Sequence, residues 1–534
     1  KGALAVQNSD ADNYNTAVGY EAGNSVTTAT ANTLIGGVAG DALTTGGSNV
    51  AIGYTALGAD TQGFNSVAIG QNALATQNFT TNTDSFNVAI GSLAGRYITT
   101  AQKNIIVGAR GGDALTVGGN NIAIGDSALS TDTKGSKSVA IGDSALFNQN
   151  FTTATTSFNT AVGFEAGNSV TTGQSNTLIG YEAGEALTTG FANTVLGSAA
   201  LSTEDTGRYN VAIGAGALEN QNSDVDNYNT AVGYEAGNDI TSGTHNAIFG
   251  ALAGDALQNG SENTAIGQNA LSSDVGGRRN VAVGNSALFS QNYSTLTSSY
   301  NTAIGYNAGM NNQTGTISTF VGAFAGDAQT TGSRNVAVGY ASLSTDTLGM
   351  RSVAVGNGAL ETQNFTTSTS VFNTAVGHEA GNQITTGIQN TLIGGLAGDA
   401  ITTGSGNVAV GINTLSQDTK GSHSVAVGNG ALFAQNFTTA TDAFNTAVGY
   451  SAGGAVTTGF YNTLIGAGSG DALTSAQYNV AMGLDALGAD TKGSRTTAIG
   501  YAALATQNFT TASNTYNTAL GFQAGLNVTT GSQN

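Results

Sequence analysis

The nine residues NTAVGYEAG at 15–23 return unchanged at 229–237, and near copies begin at Asn159, Asn301, Asn373 and Asn445. Self-similarity at a fixed period constrains a fold more than composition does, because each repeat must be one small unit stacked on its neighbours. Aligned on Asn/Ser–Thr/Val–Ala–Val/Ile–Gly–x–x–Ala, units begin at Asn15, Asn32, Asn49 and Ser66, then at Asn87, Asn104, Asn121 and Ser138, and continue to Asn517. Three units of 17 residues precede one of 21, giving a superrepeat of 72; only the unit at 210–228, with 19 residues, departs from this. The expected organisation is the tail of a truncated coil at 1–14, then seven four-coil superrepeats of one continuous solenoid, then the start of the next at 517–534. The superrepeats are 15–86, 87–158, 159–228, 229–300, 301–372, 373–444 and 445–516. Residues 2–14 match the end of a fourth unit, and Asn534 stands where another would begin. The chain is therefore expected to be a segment of a longer array, with caps and any anchor or tip domains beyond it.

Each unit is too short for a βαβ element and has no helical periodicity. Its opening pentad alternates, with Thr/Val and Val/Ile at positions 2 and 4 and mostly Ala and Gly at 3 and 5. Period two with β-branched residues reads as a short strand, and Gly at position 5 marks a tight bend. The expected fold class is all-β: a parallel β-solenoid of 17/17/17/21-residue coils. Equivalent residues would stack about 4.8 Å apart, so 29 coils would span roughly 140 Å. Composition agrees. Gly is 78 of 534 residues, about twice the usual share of roughly 7%, which suits tight turns.

Positions 9 and 12 compensate each other. First and second units carry Gly at 9 and an aliphatic at 12, as in Gly23 with Val26 and Gly40 with Leu43. In third and fourth units Leu57 and Leu74 stand at 9, opposite Asp60 and Gln77 at 12. One large aliphatic per coil is expected to fill a narrow core, since close packing penalises both a missing and a doubled side chain. Asn312 and Gln329 break the rule, which makes 301–372 the expected weak stretch. The first-position residues Asn15, Asn32, Asn49, Asn87, Asn104, Asn121 and Asn159 should form a ladder of side-chain amides. Tyr or Phe always closes the fourth unit, from Tyr14 and Phe86 to Tyr516, and is expected to cover the corner where the longer loop leaves.

These stretches resemble the head repeats of trimeric autotransporter adhesins of the YadA-like type. The match lies in NSVAIG at 65–70, NVAIG at 49–53, KSVAIG at 137–142 and HSVAVG at 423–428. The family's coils are usually shorter, and its neck and stalk segments have no counterpart here. The NTAVG-type arrays are also similar to trimeric shafts of phage and virus tail fibres. The resemblance implies a left-handed β-roll, a homotrimer, and an extracellular fibre on a cell or virion surface. Joining three thin rolls would also bury more apolar surface than one can alone. The expected function is structural and adhesive, a repeat fibre presenting loops for attachment to a receptor that the sequence does not identify. Its alternative is a tail-fibre shaft used in host recognition. A self-assembled filament or an ice-binding solenoid is a minor one.

No residue constellation points to catalysis, and no cofactor is expected. His245, His378 and His423 fall at different unit positions and form no column. A net charge of −19 with no basic run disfavours nucleic acid. No apolar stretch is long enough to cross a bilayer as a helix, so no direct membrane insertion by this segment is expected. Two acidic columns recur: Asp41, Asp113, Glu185, Asp255, Asp327, Asp399 and Asp471, and separately Asp60, Asp132, Glu204, Asp274, Asp346, Asp418 and Asp490. Within one chain, members of a column would lie roughly 19 Å apart, too far to share an ion. Three chains could gather the first column's carboxylates around a cation; the alternative is that Asp accepts backbone N–H bonds in a turn. The QNFTT and QNYST loops place Asn78, Asn150, Asn292, Asn364, Asn436 and Asn508 in the Asn-x-Ser/Thr pattern. They are candidates for glycosylation, and their loops for contact. Thr pairs such as Thr27–Thr28 and Thr44–Thr45 are not the flat Thr-x-Thr ranks that ice binding would use, because adjacent strand residues point to opposite faces.

Overall fold

The computed structural model describes residues 1–10 and 12–534, in two compact units, Lys1–Asn263 and Thr264–Asn534. Among the described residues every regular element is a strand, and each unit is a parallel β-solenoid. A three-residue strand occupies positions 2–4 of each coil. Fourteen such strands run from Thr16–Val18 to Ala247–Phe249 in the first unit, and fifteen from Thr264–Ile266 to Thr518–Leu520 in the second. Pairing is parallel and in register: Thr16 with Thr33, Ala17 with Leu34, Val18 with Ile35. Across a long fourth unit the register becomes Val67 with Val88. The extra residues there make a second short ladder, such as Gly63–Phe64 with Thr83–Asp84. The 19-residue unit keeps only the bridge between Arg208 and Asp226.

The corner after the strand depends on glycine. Gly19 has φ 144, and a Cβ on it would lie 2.3 Å from the Gly36 carbonyl oxygen. Position 3, not the larger positions 2 and 4, points inward: Ala51, Ala68 and Leu34 are fully buried. Val26, Leu43, Leu57 and Leu74 are fully buried as well, so the alternation between positions 9 and 12 operates as expected. At Gly40 a Cβ would stand 2.8 Å from Leu34 Cδ2 and 2.9 Å from Leu43 Cδ1. The rule of one large aliphatic per coil needs correction, however. Second coils hold two, Leu34 and Leu43, because position 3 also faces the core and Gly23 and Gly40 leave room for it.

This explains the stretch at 301–372. Phe320 occupies position 3 of its second coil and is fully buried. Its ring lies 2.6 Å from where a Cβ on Gly309 would be and 2.4 Å from one on Gly326, so it fills the space left by both missing aliphatics. Asn312 Oδ1 accepts the Gly315 N–H at 2.8 Å. Gln329 Nε2 reaches the Gly349 carbonyl at 3.4 Å, but its buried Oε1 has no partner among the described residues. Within 301–372 the buried side-chain atoms without a partner among the described residues are that Oε1 and Asp327 Oδ1.

The first-position ladder is present, with a different bonding pattern. Asn15 Oδ1 accepts the backbone N–H of Asn32 at 2.8 Å, and Asn32 Oδ1 that of Asn49 at 2.9 Å. Asn32 Nδ2 donates to the Gly46 carbonyl at 3.0 Å within its own coil. The dominant bonds are thus side chain to backbone. They satisfy a buried N–H at the entry of the strands that follow an Asn-opened coil, up to Ser66, which would otherwise be costly. Past Ser66 the Asn87 N–H turns to Ser85 Oγ at 3.4 Å.

Candidate interaction surfaces

The second acidic column lies inside the solenoid. Asp60 is fully buried; its Oδ1 accepts the N–H groups of Gly63 at 3.0 Å and Phe79 at 3.1 Å, and its Oδ2 accepts Gln77 Nε2 at 2.7 Å. Gln77 Nε2 also donates to Ser66 Oγ at 2.8 Å, while its Oε1 accepts Asn87 Nδ2 at 2.9 Å. The same pairing recurs at Asp132–Gln149, Asp346–Gln363, Asp418–Gln435 and Asp490–Gln507, each 2.6 Å. Glu204 reaches Gln221 at 2.9 Å. Burial pushes Asp60, Asp274 and Asp346 above the usual carboxylate range, against the pull of these donors. Such a satisfied network is structural, and the turn-capping alternative describes it.

The first column sits on the turn formed by positions 6–11. Desolvation raises the carboxyl groups of Asp41, Asp113, Glu185, Asp399 and Asp471. Asp255 and Asp327 are pushed up to about 6 by the same cause. Asp255, Asp327 and Asp399 each have a buried Oδ1 without a partner among the described residues. No three His, Asp or Glu side chains among those residues come together as a metal site within one chain would require.

The QNFTT loops are tied down at their start. Asn78 Oδ1 accepts the Thr61 hydroxyl at 3.0 Å, Asn150 that of Thr133 at 3.1 Å, and Asn364, Asn436 and Asn508 those of Thr347, Thr419 and Thr491 at 3.1–3.2 Å. Asn292 lacks a Thr at the matching place and is held by its backbone N–H, which donates to Gln313. The next residue is the anchor: Phe79, Phe151, Tyr293, Phe365 and Phe437 are buried. The exposed tip is Thr80, Thr81 and Asn82 in the first loop.

The closing aromatics do not cover the corner. They adopt positive φ, as at Phe86 and Phe444, and stand half-exposed on the edge. There they stack on position 17 of neighbouring coils, because one rung is close to one ring-stacking distance. His423, Phe444, Tyr461 and Tyr478 stack at 5.2, 5.4 and 5.2 Å. The Arg495 guanidinium follows, 5.1 Å from Tyr478 and 5.8 Å from Tyr516. In the first unit Tyr209 stacks on Tyr228 at 4.9 Å, and the His245 ring follows at 5.2 Å, tilted by 32°. His423 also has an acidic partner that its sequence position did not suggest, Asp442 at 2.9 Å, with both groups largely exposed. His378 stands on the surface beside Glu379, 3.8 Å away. Of the Thr pairs, Thr27 and Thr44 turn their hydroxyls to carbonyls of the next coil, each at 3.0 Å.

The outward strand face was not singled out from the sequence. Position 2 is Thr, Val, Ile or Ala, and position 4 is Val, Ile, Leu, Phe or Met, in every coil from Asn15 to Asn517. Position 4 is part-exposed at Ile52 and Ile69 and exposed at Ile35 (38%) and Leu196 (46%), and Tyr20, Tyr54, Tyr181 and Tyr234 at position 6 extend the strip. The signal was the exclusion of all charge from positions 2 and 4 in both units. No protein-family model matches this chain, and no characterised protein matches it.

Proposed function

We propose that the chain is a structural segment of an extracellular fibre on a cell or virion surface, in which three copies join along their outward strand faces. The uncharged strip of positions 2 and 4 is the observation that carries this reading. In the first unit fourteen rungs make a strip roughly 65 Å long and about 10 Å wide. That is roughly 650 Å², at or above the largest apolar patch of a typical monomer and close to the ~800 Å² each partner contributes to a stable interface. A partner that meets every rung must repeat at the same spacing, and a second copy of the solenoid does. The 17/17/17/21 coil pattern and a left-handed roll belong to the same proposal, which the likeness to YadA-like repeats motivates.

The work of such a segment is reach, stiffness and presentation of the QNFTT loops, with no turnover of substrate. Attachment to cells or surfaces is the first use, and a tail-fibre shaft is the second. Sedimentation equilibrium of the purified chain should give the trimer mass, and Ile35→Asp with Ile90→Asp should shift it to monomer; a wild-type monomer would overturn the proposal. Immunogold labelling of the source culture with antibody to the QNFTT loops then separates the two uses. Label on fibres rooted in a cell envelope supports attachment, and label on virus appendages supports the shaft.

A further inference from the structure

Charge is sorted onto the two edges of the strand face, most completely in the second unit. All seven Lys and Arg of residues 264–534, from Arg278 to Arg495, fall at positions 14–17, just before a strand. The aromatic stack shares that edge. Six acidic residues, Asp327, Glu361, Glu379, Asp399, Asp471 and Asp485, lie on the turn at positions 6–11, just after a strand, and no Lys or Arg accompanies them. Of the remaining acids, Asp274, Asp346, Asp418 and Asp490 are buried, and Asp442 pairs with His423. Going round a coil of the second unit, the order is therefore a basic and aromatic edge, an uncharged strip, and an acidic edge. In the first unit Arg96 and Arg110 depart from it on the turn, and Glu262 on the opposite edge.

We infer that copies of the chain associate only with their coil axes parallel, the basic-aromatic edge of each lying against the acidic turn of the next. The inference rests on the oligomeric reading above and adds the orientation. Two strips brought face to face by a twofold axis perpendicular to the coils would set like edges together, cations on cations and carboxylates on carboxylates. Like-charge juxtaposition across an interface is strongly disfavoured. A rotation axis parallel to the coils sets unlike edges together at every level. Such a contact is heterologous, and it closes into a ring when the rotation permits. In a ring of three, each copy uses both edges, one toward each neighbour. All copies then point the same way, and each seam repeats over the length of the unit.

The chain contains no Cys, so introduced thiols report on the seam alone. Glu379, at position 7, and Gln389, at position 17 of the same coil, are respectively half-exposed and exposed. The double variant Glu379→Cys with Gln389→Cys, treated with a short bis-maleimide, should yield covalent trimers, while either single variant should yield none. Asp485→Cys with Arg495→Cys repeats the test a few coils further on, and circular dichroism establishes that the variants fold. Covalent dimers from a single variant, or trimers in sedimentation without any linkage in both double variants, would overturn the orientation and leave the oligomer standing. A monomer in sedimentation would overturn both.

Discussion

First and second coils close their interior with Val26, Leu34 and Leu43, whereas third and fourth coils close theirs with Leu57 and Leu74 beside Asp60 and Gln77. The two halves of a superrepeat thus solve the same packing problem, one dry and one through a buried hydrogen-bond network. Dry coils tolerate small changes in shape, since aliphatics of similar volume interchange at modest cost. The polar coils depend on every member, because a half-satisfied buried network is worse than an apolar one. The polar solution also accompanies the long coil, where the Asp60 carboxylate holds Gly63 and Phe79. It fastens the exit of the loop to the preceding coil, a task an aliphatic cannot perform.

Four changes probe this contrast, and local opening measured by amide hydrogen exchange is the right readout, because repeat arrays need not unfold as one unit. The largest effect is expected at Asp132→Ala. It leaves the buried N–H groups of Gly135 and Phe151 without their acceptor and removes one bond of Gln149, which keeps Ser138 and Asn159. Each stranded buried donor costs about 1–3 kcal/mol. Exchange at those two amides should accelerate accordingly, and protection equal to wild type would refute the structural role. Leu43→Ala in a dry coil should cost about 2–4 kcal/mol, with the effect centred on the neighbouring coils. A loss larger than that of Asp132→Ala would reverse the ranking of the two solutions.

Gln329→Leu alone should destabilise by about 1–3 kcal/mol through overpacking, since Phe320 already fills the site. Combined with Phe320→Leu it should be neutral or stabilising, and additive effects would contradict the shared space. The smallest effect is a dependence on pH. Asp255 and Asp327 carry folded-state pKa values raised to about 6, so the folded protein holds their protons more tightly than the unfolded chain does. Their contribution is full below about pH 4 and is lost as pH rises through about 6. Melting temperature should fall across that window, and Asp255→Asn with Asp327→Asn should flatten the slope.

The repeat period and the strand at positions 2–4 were legible because glycine and β-branched residues recur at fixed spacing. The exchange between Gly23 with Val26 and Leu57 with Asp60 was legible because volume must be conserved around a narrow core. Which strand face points inward was not, since Ile and Val outweigh Ala in hydropathy and only Leu34 and its equivalents at position 3 hint at the answer. The burial of Asp60 was equally hidden. An Asp three residues before a Gly, as Asp60 is before Gly63, ordinarily reads as a solvated turn, and its partner Gln77 lies a whole coil away. The loop aromatics misled for a similar reason: Phe79 and Phe86 differ only in the local turn, and the positive φ at Phe86 sends its ring out to the edge. The charge-free strip was visible in every unit, but it acquires meaning only once the strand is known to show that face to solvent.

The asparagine ladder has a direction. Asn15 offers its Oδ1 to the N–H of Asn32, and Asn32 offers its own to Asn49, so a coil that opens with Asn presents an acceptor to the coil that follows it in sequence. The run restarts after a coil that opens with Ser, such as Ser66, where the Asn87 N–H turns to Ser85 Oγ at 3.4 Å. A chain leaving the ribosome amino end first therefore meets, at every seventeenth residue or so, a template already waiting. Contacts stay local along the chain, which keeps the entropy of loop closure small and favours rapid folding. Synthesis and folding can proceed in step, with no need to hold a long unfolded stretch until a distant partner arrives.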